Sequence, residues 1–170
     1  MRKISLFFNK YAAMIYFVLT FIITWGSIFL VVGSFKLPFT KEQIEAAGPL
    51  VYVGMLIGPS AAGILMIGLV EGRAGYRTLF SRLGKWRVGF RWYAVALLTV
   101  PLLILTILYL LSRTSPEFLP AIGAAEDKVS LVVTGVVMGL AVGFFEELGW
   151  TGFVVPRLRQ RYSLLAVGLI

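Results

Sequence analysis

Four apolar stretches dominate this chain: Tyr11 to Val32, Leu50 to Val70, Trp92 to Leu111, and Val129 to about Trp150. The first three contain no Asp, Glu, Lys or Arg. Each is long enough to cross a hydrocarbon core of about 30 Å, which takes about 20 residues of helix. In lipid every backbone amide needs an internal partner, and stretches of this length fit helices rather than barrel strands. With 59% hydrophobic and 14% charged residues, the composition is not that of a water-soluble domain. The expected fold is all-α: a polytopic transmembrane helix bundle with four full spans and the start of a fifth, forming a single membrane domain over residues 1–170. The fifth stretch, Leu164 to Ile170, only begins a span. The chain is therefore expected to be the amino-terminal part of a longer protein.

Two absent residue types narrow the chemistry. Without cysteine there is no disulfide framework, thiolate metal site or cysteine nucleophile. Without histidine as well, the chain has no zinc-ligand set of the usual kind and no imidazole base. Only carboxylates are left for such work.

The formal charge of +8 would suit a nucleic-acid partner, but its placement argues otherwise. Arg2, Lys3 and Lys10 precede the first span. The connector from Gly33 to Pro49 sums to zero through Lys36, Lys41, Glu42 and Glu45, and Glu71 to Arg91 holds six bases against one acid. Ser112 to Lys128 has two bases and three acids, and Arg157, Arg159 and Arg161 follow the fourth span. Positive and non-positive connectors alternate, so the positive-inside rule predicts a cytoplasmic amino terminus, a cytoplasmic Glu71 to Arg91 connector and a cytoplasmic end of span four. A bilayer partner, integral placement in the cell membrane and no nucleic acid are the corresponding expectations. The basic start before an apolar run also fits a signal peptide, but its core is too long and no small-x-small site follows, which favours a retained anchor.

Within the basic connector, Tyr76, Leu79, Phe80 and Leu83 fall at i, i+3, i+4 and i+7, with Arg77 and Arg82 elsewhere around the helix. This pattern predicts an amphipathic helix lying at the membrane interface, where it anchors topology on anionic lipid or gathers substrate. Gly54, Gly58, Pro59 and Gly63 in span two predict close helix packing or a kink, and Pro101 marks a kink in span three.

Glu146 and Glu147 stand together at the end of the fourth apolar stretch, and ionisable groups at membrane depth are costly enough to suggest function. Gly135, Gly139 and Gly143 recur every fourth residue in the same span, a small-residue seam predicted to receive another helix. On a wheel of about 100° per residue with Gly139 at zero, Glu146 lies at about −20°, inside the seam, whereas Glu147 lies at about 80° and Thr151 at about 120°. If the helix stays regular through Gly149, Glu146 faces the interior, where desolvation suits a residue that takes a proton from water and returns it to a leaving amine. Glu147 then supports it. The competing structural reading leaves both glutamates solvated at the helix end, or paired with Arg157 or Arg159.

Read onward, the segment is EELGWTGFVVPRL. It resembles the glutamate motif of the CAAX-protease and bacteriocin-processing family of intramembrane endopeptidases, two glutamates, three variable residues and an arginine, often within EExGWRGF and followed by a PRL-like stretch. Thr151 stands where the family has arginine. The resemblance extends from the basic connector to PRLRQRYS. It implies an all-helical membrane peptidase acting on membrane-associated or lipidated peptide or protein substrates, with Glu146 the candidate base and Glu147 its partner. It further implies histidines on later helices, expected beyond residue 170, and the 170 residues alone are expected to be inactive. A divalent metal is possible by that resemblance, although this chain has no His or Cys ligand to identify a metal site. An arginine at 151 would reach Glu147 at i+4, whereas Thr151 offers only a hydroxyl. This departure keeps open a non-enzymatic membrane scaffold or a transporter-like subunit that retains the fold.

Overall fold

The computed structural model describes residues 7–33 and 40–170. Arg2, Lys3 and Lys36, part of the charge pattern above, lie outside the described residues. Helices account for nearly all regular structure: α1 (Ala12–Val32), α2 (Lys41–Val70), α3 (Gly72–Leu83), α4 (Phe90–Ser112), α5 (Ala121–Ala124), α6 (Lys128–Gly149), α7 (Val155–Leu158) and α8 (Leu164–Leu169). There is no strand among the described residues. Helices α1, α2, α4 and the helical run Lys128–Leu158 are each long and apolar enough to cross a membrane, an architecture compatible with an integral membrane protein.

Helix α2 begins well before the apolar stretch at Leu50, and local chemistry explains the extension. The Thr40 hydroxyl accepts from the Gln43 amide at 3.3 Å while the Gln43 side chain accepts from the Thr40 amide at 3.0 Å, a reciprocal cap. Lys41 and Glu45, one turn apart, form an exposed ion pair at 3.7 Å. The helix runs through Pro49 and Pro59. At the start of α6 the Asp127 carboxylate accepts from the Ser130 amide at 2.9 Å.

By contact the chain divides into two compact units, Met1–Ser81 with Leu140–Ile170, and Arg82–Gly139. In the first, α1 and α2 pack antiparallel along a stripe of hydroxyls on one helix and glycines on the other. A Cβ added at Gly54 would strike the Ser27 side chain, and one at Gly58 would strike the Thr24 side chain. The predicted close packing of the Gly54 to Gly63 pattern is what the structure shows. Core residues Ala12, Tyr16, Ala62, Met66, Ile67, Leu79, Leu148, Phe153 and Val154 join α1, α2, α3 and the end of α6.

Gly72, at φ +62°, turns the chain from α2 into α3. The amphipathic helix predicted for the connector is α3, but part of its apolar face is taken up by the protein itself. The Tyr76 hydroxyl donates to the Ile64 carbonyl at 2.9 Å, and Leu79 is buried. Phe80 stays 67% exposed. In the second unit α4 has no buried residue. At the foot of α4, Arg87 lies over the Trp86 ring at 5.3 Å and Arg91 over the Trp92 ring at 5.6 Å.

Candidate functional site

The glutamate helix is regular as far as Gly149, the condition under which the wheel angles hold. From Trp150 to Val154 it widens, with the Val155 amide donating to the Trp150 carbonyl five residues back. Such wide turns inside helices are uncommon and are found frequently at functional sites. Here the widened turn coincides with a close approach. A Cβ added at Gly63 would lie 2.7 Å from the Gly149 α-carbon, and one at Gly149 would lie 2.7 Å from the Pro59 carbonyl carbon and 2.5 Å from the Tyr16 hydroxyl. One turn earlier the Ser60 hydroxyl donates across the helix pair to the Phe145 carbonyl. The Leu56 carbonyl lies 3.1 Å from the same hydroxyl, whose single proton serves one acceptor at a time.

Within the first unit, the contact α6 makes is at its end, where Leu148 and Gly149 are buried. A Cβ at Gly135, Gly139 or Gly143 would meet no atom within 4 Å among the described residues. Gly149 sits at about −80° on the wheel used above, beside the three-glycine seam. Gly63 and Gly149 bring two backbones together where neither helix carries a Cβ, and the widened turn carries Phe153 and Val154 into the same core.

Glu146 lies at the margin of that contact and is half-buried, and Glu147 is exposed. Neither has an ion-pair partner among the described residues, and Arg157 is committed elsewhere, pairing with Glu71 at 2.8 Å and lying over the Phe153 ring at 4.1 Å. The exposed Thr151 hydroxyl donates to the Glu147 backbone carbonyl at 3.0 Å rather than to its carboxylate.

Tyr16 completes the neighbourhood. It is 0% exposed, with its ring 5.8 Å from both the Trp150 and Phe153 ring centres. Thr20 follows it one turn along α1, and Glu146 stands one turn before Gly149, against which the Tyr16 hydroxyl packs. Yet neither the Tyr16 hydroxyl nor Thr20 Oγ1 meets hydrogen-bond geometry with any partner among the described residues. No three His, Cys, Asp or Glu side chains gather as a metal set among the described residues.

Comparison with known proteins returns no match to a family model, to a curated protein or to a solved structure.

Sequence reasoning passed over Tyr16, Thr20, Ser60 and the Glu71–Arg157 pair. Tyr16, Thr20, Thr24 and Ser27 do follow helical spacing on one face of α1, and that stripe was the available signal. The ion pair joins residues 86 positions apart, which no local pattern foretells.

Proposed function

We propose that this chain carries the glutamate half of an intramembrane endopeptidase site of the CAAX-protease and bacteriocin-processing type, with Glu146 as general base. Glu146 accepts a proton from water as the water oxygen bonds to the scissile carbonyl carbon; the C–N bond then breaks and the proton passes to the leaving amine. Substrates are membrane-associated or lipidated peptides reached from the cytoplasmic side, the side that the loop charges favour for the Glu146 end of α6. No step is assigned to a metal.

The observation that carries this reading is the position of Glu146: a half-buried carboxylate without an ion pair among the described residues, at the edge of a tight backbone contact and next to a widened helical turn. A carboxylate kept only for solubility would be expected to be exposed, as Glu147 is. The EELGW..GF..PRL wording adds support from resemblance. The test is peptide cleavage by the complete protein in native membranes with Glu146→Gln. Loss of cleavage is expected, whereas turnover equal to wild type removes Glu146 from catalysis and leaves the non-enzymatic scaffold as the better account.

A further inference from the structure

A buried hydroxyl without a partner costs about 1–3 kcal/mol, and folded proteins nearly always supply such groups with an acceptor or an ordered water. Two of them stand side by side in this core, on Tyr16 and Thr20 of α1. The Tyr16 ring is held by aromatic contacts to Trp150 and Phe153, so its hydroxyl cannot swing out to solvent without breaking the core. It is fixed instead against the α-carbon of Gly149, three residues along α6 from Glu146. A side chain at position 149 would displace it. Of the two adjacent carboxylates, Glu146 lies one helical turn from Gly149 and is the less exposed.

From this geometry we infer that Tyr16 is a positioning residue for Glu146: its hydroxyl donates to the Glu146 carboxylate, directly or across one water that the Thr20 hydroxyl also holds. A glutamate side chain has enough rotatable bonds to move between solvent and a donor, so a fixed phenol on its inner side selects the inward carboxylate. The proton moves nowhere in this step, and Tyr16 acts through Glu146. Its catalytic meaning rests on the proposed role of Glu146 as base, but the contact itself can be measured without turnover.

The measurement is a thermal unfolding cycle on the full chain in lipid nanodiscs, with Tyr16→Phe made in the wild-type, Glu146→Ala and Glu146→Gln backgrounds. Phenylalanine keeps the ring contacts and removes only the hydroxyl. Tyr16→Phe is expected to lower the midpoint in the wild type and to lower it no further once Glu146→Ala has removed the acceptor. Under Glu146→Gln, whose amide oxygen still accepts, part of the effect returns. An equal drop in the wild-type and Glu146→Ala backgrounds overturns the inference, because a merely structural tyrosine is indifferent to residue 146. So does an unchanged or raised midpoint for Tyr16→Phe in the wild type, the result for a hydroxyl that has no partner to lose. If Tyr16→Phe does not accumulate, Thr20→Val is read in the same backgrounds against the same criteria. Coupling together with wild-type cleavage by Glu146→Gln would keep the contact and remove the base; additivity with lost cleavage would do the reverse.

Discussion

Gly149 shows most directly how one residue shapes this site. Its α-carbon sits among the Pro59 carbonyl, the Tyr16 hydroxyl and Gly63, and no other amino acid leaves that space clear. Gly149→Ala forces a Cβ into backbone and is expected to cost about 1–3 kcal/mol, the range for overpacking a tight contact. Gly143→Ala, six residues earlier with nothing within 4 Å, is expected to stay within about 0.5 kcal/mol of wild type. Thermal unfolding of the two variants side by side distinguishes the observed contact from the predicted seam; equal losses would restore the seam. The regular spacing of Gly135, Gly139 and Gly143 does not point to Gly149, because periodicity reports what a helix permits, not what lies opposite it. Gly149 stands outside that period and was legible only as a letter of the EELGW motif.

Among the elements, α6 and its widened end matter most. The helix is regular to Gly149, with Glu146 half-buried and Glu147 exposed; beyond Trp150 the ladder changes, and the wheel angle assigned to Thr151 no longer applies. Sequence periodicity contains no warning of such a turn, since its cause is tertiary: Phe153 and Val154 are carried into the core shared with α1, α2 and α3. Arg157 then ties the turn to Glu71 at the end of α2 while stacking on Phe153. Because Glu71 is more than a third exposed, the ion pair alone is worth at most about 1 kcal/mol, and stacking adds to it. Arg157→Ala should lower the unfolding midpoint, and Arg157→Lys should recover only part of the loss, since an ammonium keeps the charge without the planar face. Full recovery by lysine would mean that charge alone holds this end.

At the scale of the whole molecule, the four long helices were legible because apolar length is the strongest signal a chain can carry, and the largest shift, the start of α2 at Lys41 rather than Leu50, follows the cap at Thr40. The lateral packing was not, because in lipid apolar side chains gain nothing by choosing one neighbour over another, and selection falls to small residues and hydroxyls. The structure brings the first turns of α1, the second half of α2 and the end of α6 into one core, as expected of helix ends that share a membrane face. We propose from the charge pattern that this face is cytoplasmic. Since the chain has no cysteine, single cysteines at Lys85 and Glu126 can report it: an impermeant maleimide added outside intact cells should label position 126 and reach position 85 only after permeabilisation. The opposite pattern would invert the orientation and place Glu146 on the outer face. The central claim is that Glu146 rather than its neighbour takes the proton, and parallel peptide-cleavage rates for Glu146→Gln and Glu147→Gln in the complete protein test it most directly. The account predicts a loss of at least about 100-fold for Glu146→Gln, the lower end for removing a general base, and a smaller loss for Glu147→Gln. Wild-type cleavage by Glu146→Gln, or a larger loss at Glu147, would contradict it.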